Sequence, residues 1–180
     1  MKITQIKPFA LLLFCSTPAM AADISIDFTA TIKESTCSMK ISGGAGTDSH
    51  QILTIGSNGA VGLDQIINGT ATADFKITAT NCSTGTSKIS TKITGTASGS
   101  NAKLLISQTG TSTTSNIGAA FSRKNNTSQQ FTLNADGQII WTKDEIANGL
   151  ELTTALAETT AGKGTTGDFN ATATFSFSYE

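Results

Sequence analysis

Cys37 and Cys82 are the residues of this chain best suited to covalent chemistry. A third cysteine, Cys15, ends the apolar run Phe9 to Cys15 (FALLLFC), which follows Lys2 and Lys7 and precedes Pro18-Ala19-Met20-Ala21. That run is far shorter than the roughly 20 residues a membrane span needs, and the small residues Ala19 and Ala21 form an A-x-A processing site. Residues 1–21 are therefore expected to be a signal peptide cut before Ala22, with a cut between Ala22 and Asp23 as the alternative. Cys15 leaves with it. The mature chain then carries two cysteines into a compartment where thiols oxidise, and the expected product is one Cys37–Cys82 disulfide, the alternative being two buried thiols. Closing so long a loop is worth roughly 4 kcal/mol in the chain-entropy picture.

The remaining candidates for chemistry are sparse. His50 is the single histidine, in a polar loop (GTDSHQ), with no second histidine and no mature free thiol to build a metal site or a nucleophile pair. Gly43-Gly44-Ala45-Gly46 is not followed by a helical pattern or by Lys-Ser/Thr, so it reads as a turn and not a phosphate cradle. Asp144 and Glu145 are adjacent, whereas acid and base carboxylates must converge across a cleft; they read as helix N-terminal charge. Asn68, Asn81, Asn126 and Asn170 open N-x-S/T triplets, which arise by chance in a chain with 31 Thr and 19 Ser. Trp141 is expected in the core. No catalytic residue, metal or cofactor is expected.

The elements that must position these residues are strands. Thr, Ser, Gly and Asn dominate, charged residues make up only 14% of the 180, and no Lys/Arg cluster is present, which argues against a helical bundle and against a nucleic-acid partner. Period-two patterning predicts strands over 24–33, 51–55, 71–80, 88–95, 103–108, 118–122, 130–133, 138–142, 150–157 and 169–179. Asn134-Ala135-Asp136-Gly137 is expected to turn a tight hairpin between FTL and QIIW. One short helix is expected over 143–148, capped by Thr142, closed into a capping box by Glu145 and stopped by Gly149. The Gly/Ser/Thr-rich stretches 42–49, 95–100 and 109–116 read as loops. Many short strands with one disulfide in an exported chain suggest an immunoglobulin-like sandwich.

Both ends of the mature chain alternate without interruption. In FNATATFSFSYE, Phe169, Ala171, Ala173, Phe175, Phe177 and Tyr179 fall on one face and Asn170, Thr172, Thr174, Ser176, Ser178 and Glu180 on the other. A terminal strand of that length frays unless something holds it. At the start, Ile24, Ile26, Phe28, Ala30 and Ile32 alternate with Asp23, Ser25, Asp27, Thr29 and Thr31.

From Ile26 to Glu180 the chain resembles the chaperone-usher fimbrial subunits, the type 1-like pilins. IDFTATIKESTC resembles their first strand leading into the first cysteine, FKITATNCS the strand carrying the second, Gly167 stands fourteenth from the end, and Tyr179 is penultimate. The resemblance implies an all-β, incomplete immunoglobulin-like sandwich lacking its last strand, completed by a donor strand from a periplasmic chaperone or a neighbouring subunit. It implies domains of 22–27 as a donor extension and 28–180 as the pilin domain. Gly167, Phe169, Ala171, Ala173, Phe175, Phe177 and Tyr179 would form the groove strand that chaperone and neighbour contact, and Ile24 and Ile26 would be donor residues. The implied function is a structural, non-enzymatic subunit polymerising by strand exchange into an adhesive surface fibre. The implied partners are a periplasmic chaperone, an outer-membrane usher and neighbouring subunits. Alternatives are a single-domain adhesin that binds a host receptor itself, a capping or minor subunit, and a self-sufficient secreted sandwich. One departure stands out: only six residues, Ala22 to Asp27, precede Phe28, fewer than the family's donor extensions, and no glycine is among them.

Overall fold

The computed structural model describes residues 36–107, 110 and 112–180. The predicted strand over 24–33, the processing site and Ile24 and Ile26 lie outside the described residues. Two sheets face each other. The larger has the order β1-β4-β9-β6-β7, built from β1 (Ser38–Ser42), β4 (Thr72–Thr80), β9 (Leu150–Glu158), β6 (Ile117–Arg123) and β7 (Asn126–Gln130). The smaller is β10-β5-β8, from β10 (Thr174–Tyr179), β5 (Ile89–Thr94) and β8 (Ile139–Ile140). A short hairpin pairs β2 (Ala45–Thr47) with β3 (His50–Ile52), and two helices, α1 (Leu63–Ile67) and α2 (Lys143–Asn148), complete the chain. Among the described residues the strands of both sheets pair antiparallel.

The core is the meeting of the two inner faces. From the larger sheet come Phe75, Ile77, Phe121, Leu150, Leu152 and Leu156; from the smaller come Ile89, Ile93 and Ile139, all buried. Alternation in β5 explains the smaller sheet's share: Ile89, Thr91 and Ile93 point inward while Ser90 and Lys92 are half-buried. Thr91 is polar yet only 1% exposed, and its Oγ1 accepts a hydrogen bond from the Trp141 indole N–H at 2.8 Å, which satisfies both groups. Trp141 is thus a core residue, as its sequence context suggested. Cys37 and Cys82 form a disulfide that joins the segment leading into β1 to the segment leaving β4.

α2 forms where the sequence placed it. The Thr142 hydroxyl accepts from the Glu145 amide at 3.2 Å, the Glu145 carboxylate accepts from the Thr142 amide at 2.7 Å, and Gly149 ends the helix at φ +96°. Glu145 has a second task. Arg123 at the end of β6 donates to both its oxygens, at 2.7 and 3.1 Å, and also to the Ile140 carbonyl at 2.8 Å, so one guanidinium fastens the helix to both sheets.

Several sequence expectations need correction. Asn134 and Gly137 do take positive φ, +62° and +64°, but the turn joins no hairpin. The Phe131 amide bonds to Phe121, that of Leu133 to Ala102 and that of Asn134 to Ile93, while Ile139 and Ile140 pair with β5, so the turn carries the chain from one sheet to the other. The expected strand over 103–108 reduces to single bridges of Leu105 to Ala97 and Ala119. In place of 130–133, β7 is the wholly polar Asn126–Gln130, which carries no apolar alternation to read. β2 falls inside a stretch expected to be loop, β3 covers only the start of 51–55, and β1 and α1 were not anticipated; each is five residues or fewer.

Two outcomes follow from this packing. The single tryptophan, 4% exposed, reports unfolding by its fluorescence. Replacing both Cys37 and Cys82 by Ser should lower the denaturant midpoint by the equivalent of roughly 4 kcal/mol, and an unchanged midpoint would show that the crosslink carries no stability. Burial would raise the Glu145 pKa, but the Arg123 guanidinium and the Thr142 amide and hydroxyl outweigh it and hold the carboxyl below its ordinary 4.5. A depressed folded pKa contributes stability that is complete above the ordinary value and disappears as pH falls from there through the folded value. Glu145→Gln should therefore cost about 1 to 2 kcal/mol at neutral pH and flatten the acid limb of the stability profile below pH 4.5, measured by urea titrations across pH.

Candidate functional site

β10 occupies an edge of the smaller sheet, and its hydrogen bonding is divided by residue parity. Glu180 and Lys88 exchange backbone hydrogen bonds of 3.0 and 2.9 Å. Hydrogen-bonded pairs recur at every second residue of an antiparallel ladder, and the register runs from Thr174↔Thr94 to Tyr179↔Ile89. Thr174, Ser176 and Ser178 thus direct their amides and carbonyls at β5. Phe175, Phe177 and Tyr179 direct theirs to the opposite side, where no described strand lies.

The same odd-numbered residues carry the apolar side chains. Phe169, Ala171, Ala173, Phe175, Phe177 and Tyr179 are all half-buried against the core, and each intervening residue is exposed. Phe175 sits edge-on to Phe75 and Phe121 of the facing sheet, with ring centroids 5.6 and 5.8 Å away, and Phe177 stands edge-on to Trp141 at 6.4 Å. Edge-to-face pairs of this kind add about 0.5 to 1.5 kcal/mol each beyond area burial. Burial also raises the Tyr179 phenol pKa above its ordinary value. The six side chains seal one side of the core without being covered themselves.

Both ends of the segment are fastened. At the start, Gly167 has φ +141°, and a Cβ there would lie 2.7 Å from Thr113 Oγ1 and 2.8 Å from the Thr114 amide nitrogen. Only glycine fits that approach. The Asp168 amide donates to Thr113 Oγ1 at 2.8 Å, its carbonyl accepts from the amides of Thr113 and Thr114 at 3.0 and 3.2 Å, and the Asn170 amide donates to Ser112 Oγ at 2.7 Å. Asp168 and Asn170 are therefore held by the 112–114 loop, the ladder with β5 starts only at Thr174, and the regular strand is shorter than the predicted 169–179. At the finish, the Glu180 carbonyl oxygen accepts from the Ser87 and Lys88 amides at 2.7 and 2.9 Å, and Lys88 Nζ lies 2.9 Å from both Glu180 side-chain oxygens.

The structure brings Gly167, Phe169, Ala171, Ala173, Phe175, Phe177 and Tyr179 into one file and joins Cys37 to Cys82, whereas Ile24 and Ile26 lie outside the described residues. Sequence reasoning missed the fasteners Ser87, Lys88, Ser112 and Thr113. They are single polar residues in or beside loops, distant in sequence from the strand they hold, and nothing local marks them. His50 is exposed on β3, and among the described residues no group of His, Cys, Asp or Glu could hold a metal ion. No helix among the described residues is long and apolar enough to cross a membrane.

Comparison with known proteins agrees with this geometry. The chain is 42% identical over 178 residues to the fimbrial-like protein YadM of Escherichia coli (strain K12), covering 92% of this chain and 91% of that protein. Its fold is similar to the crystal structure of the P pilus rod subunit PapA, at TM-score 0.56 and 17% identity over 80% of this chain and 99% of that one. It is also similar to the P pilus adaptor subunit PapF, at TM-score 0.52 and 18% identity over 80% and 95% of the two chains. The family model described as fimbrial protein matches residues 26–180, and with the immunoglobulin-like pilin fold and its uncovered last strand already in place, the chain belongs to the fimbrial protein family.

Proposed function

We propose that this chain is a structural subunit of a surface fimbrium whose activity is to accept a strand from another protein beside β10. One observation carries the reading: the residues whose backbone groups face away from β5 are the residues whose side chains half-fill the core. An added strand would satisfy both at once, pairing with Phe175, Phe177 and Tyr179 through its backbone and covering their side chains with its own alternate residues. Each new backbone hydrogen bond is worth about 1 kcal/mol net, and each large apolar side chain moved fully out of water about 1.5 to 3 kcal/mol.

In this reading the chain is exported to the periplasm after cleavage of residues 1–21, where a chaperone supplies the first strand. At an outer-membrane usher, a neighbouring subunit replaces it, and the subunit reaches the cell surface as part of an adhesive fibre. Left alone, an uncovered apolar file beside an open edge invites aggregation, which is the physical reason for a dedicated chaperone. Gly167 would set where the groove begins, because the chain must approach Thr113 closely before it can run straight. Membership of the fimbrial family and the pilin fold support a structural role, not an enzymatic one.

The reading is tested by placing a charge on either face of the same strand. Phe177→Asp and Ala171→Asp put a carboxylate among the file, at a cost of several kcal/mol, and should abolish copurification with the chaperone and leave little protein in periplasmic extracts. Ser176→Asp and Ser178→Asp, on the exposed face, should accumulate and copurify as the parent chain does. Ala171 lies before the paired part of β10, so its variant separates loss of strand capture from loss of the β5 ladder. Equal accumulation of all four variants would overturn the proposal.

A further inference from the structure

Among the described residues the two sheets have four edges, and three of them are closed by different means. On β1 the Ile41 amide donates to the Asp48 carbonyl of the β2–β3 turn at 2.8 Å, so the hairpin takes up the side away from β4. On β7 the register breaks between its pairings with β6, Ser122↔Gln130 and Arg123↔Asn126, which leaves Thr127 to Gln129 opposite no residue of β6. A bulge of this kind blunts an edge. β8 is closed by one side chain. The Trp141 amide donates to the Ile89 carbonyl at 2.9 Å, and Ile139 stands opposite Thr91. These alternate residues face β5, so Ile140 between them turns its amide and carbonyl outward. The Ile140 side chain is 51% exposed as well, which would make β8 a second recruiting edge of the sheet that carries β10. Arg123 prevents this. Its Nη2 reaches from the end of β6 to the Ile140 carbonyl at 2.8 Å, while Nε and Nη2 are held by the two Glu145 oxygens at 2.7 and 3.1 Å and the guanidinium carbon lies 5.8 Å from the centre of the Phe131 ring. A charged donor fixed on an edge carbonyl occupies the acceptor that an incoming strand needs and sets a cation in that strand's path.

We infer, resting on the strand-accepting function above, that Arg123 decides which edge of the smaller sheet accepts a strand: by capping the Ile140 carbonyl it closes β8 and leaves β10 as the one open edge of that sheet among the described residues. Glu145 positions the cap, so the helix that Thr142 starts also serves the choice of edge. Arg123 touches neither β10 nor its file of side chains in any bond described above, and it acts on where a strand is added, not on how well β10 holds one.

The test reads amide exchange residue by residue by NMR in the purified protein, alone and saturated with a synthetic peptide long enough to run beside Phe169 to Tyr179 and carrying Val or Ile at every second position. In the parent chain the peptide should slow exchange at Phe175, Phe177 and Tyr179 and leave the outward Ile140 amide as fast as before. Slowed exchange at Ile140 in the parent would overturn the inference. In Arg123→Gln the side-chain nitrogen stands where Nε stood, so the variant keeps a donor for Glu145 and loses the reach to Ile140. With peptide in the groove, which also steadies the fold, its Ile140 amide should slow by up to about tenfold, the size of one net hydrogen bond, and native mass spectrometry should find a second peptide bound. Adding Ile140→Pro removes the outward amide without touching the β5 ladder and should return the complex to one peptide. An Ile140 amide that stays fast in Arg123→Gln, with one peptide bound, would overturn the inference. If Arg123→Gln does not fold, Arg123→Lys, whose single ammonium is drawn to Glu145 and leaves Ile140 uncapped, is read by the same outcomes. Unchanged exchange at Phe175, Phe177 and Tyr179 in the parent would instead overturn the groove function on which the inference rests, so the two failures are distinguishable.

Discussion

Everything in this fold depends on one strand serving two surfaces that are ordinarily separate. Among the described residues β10 is bonded on one side only, and its inward residues belong to the core. Edge strands in soluble proteins are usually blunted by charge, proline or a covering loop, because a row of unused amides next to apolar side chains recruits other strands. Among the described residues β10 has none of these devices. Its odd residues are Phe, Phe and Tyr, its even residues Thr and Ser, and the segment contains no proline. What the rest of the chain provides instead is anchorage: Lys88 and Ser87 grip the last residue, and Thr113 and Ser112 grip the start, so the strand stays extended while its outer edge is left open.

The larger sheet supplies the rigidity that makes such an edge tolerable. β4, β9 and β6 are nine, nine and seven residues long, fully laddered, and buried along most of their inner positions. Phe75 and Phe121 from this sheet hold Phe175 edge-on, so the ring that half-seals the open side is oriented by residues from the closed side. Arg123 ties α2 and β8 to β6, and the disulfide ties the ends of β1 and β4 together. These ties converge on the larger sheet.

How much of this could be read from the residues depended on run length. The alternation from Phe169 to Tyr179 repeats often enough that no helix shares its pattern, and the side chains fall buried and exposed as the sequence ordered them. β4, β5 and β9 were legible for the same reason, and α2 because Thr142, Glu145 and Gly149 are a local code with a fixed spacing. β7 was not, since Asn126 to Gln130 alternates nothing, and its place is fixed by pairing with β6. The 134–137 turn shows the boundary between the two cases. Positive φ at Asn134 and Gly137 is written in the residue types, but whether the flanking segments pair with each other or with different sheets is decided by Phe121, Ala102 and Ile93, far away in sequence. The groove residues were legible and their fasteners were not, for that same reason.

The division between a finished and an unfinished sheet has a thermodynamic consequence for how such a subunit exists. Folding offsets a conformational entropy cost of about 1 to 2 kcal/mol per residue with burial, and the margin left for an ordinary domain is small. Here six apolar side chains along the last segment are held half-buried, so part of the burial that would enlarge the margin is not made among the described residues. In the proposed function, a strand that completes the sheet is a ligand for the folded state, and its binding free energy adds directly to the stability of the domain. A complement that fills more of the file stabilises the subunit more, so replacing a shorter or poorer complement by a longer one runs downhill without any external energy source. In the proposed function, the direction of assembly follows from the same eleven-residue file, Phe169 to Tyr179.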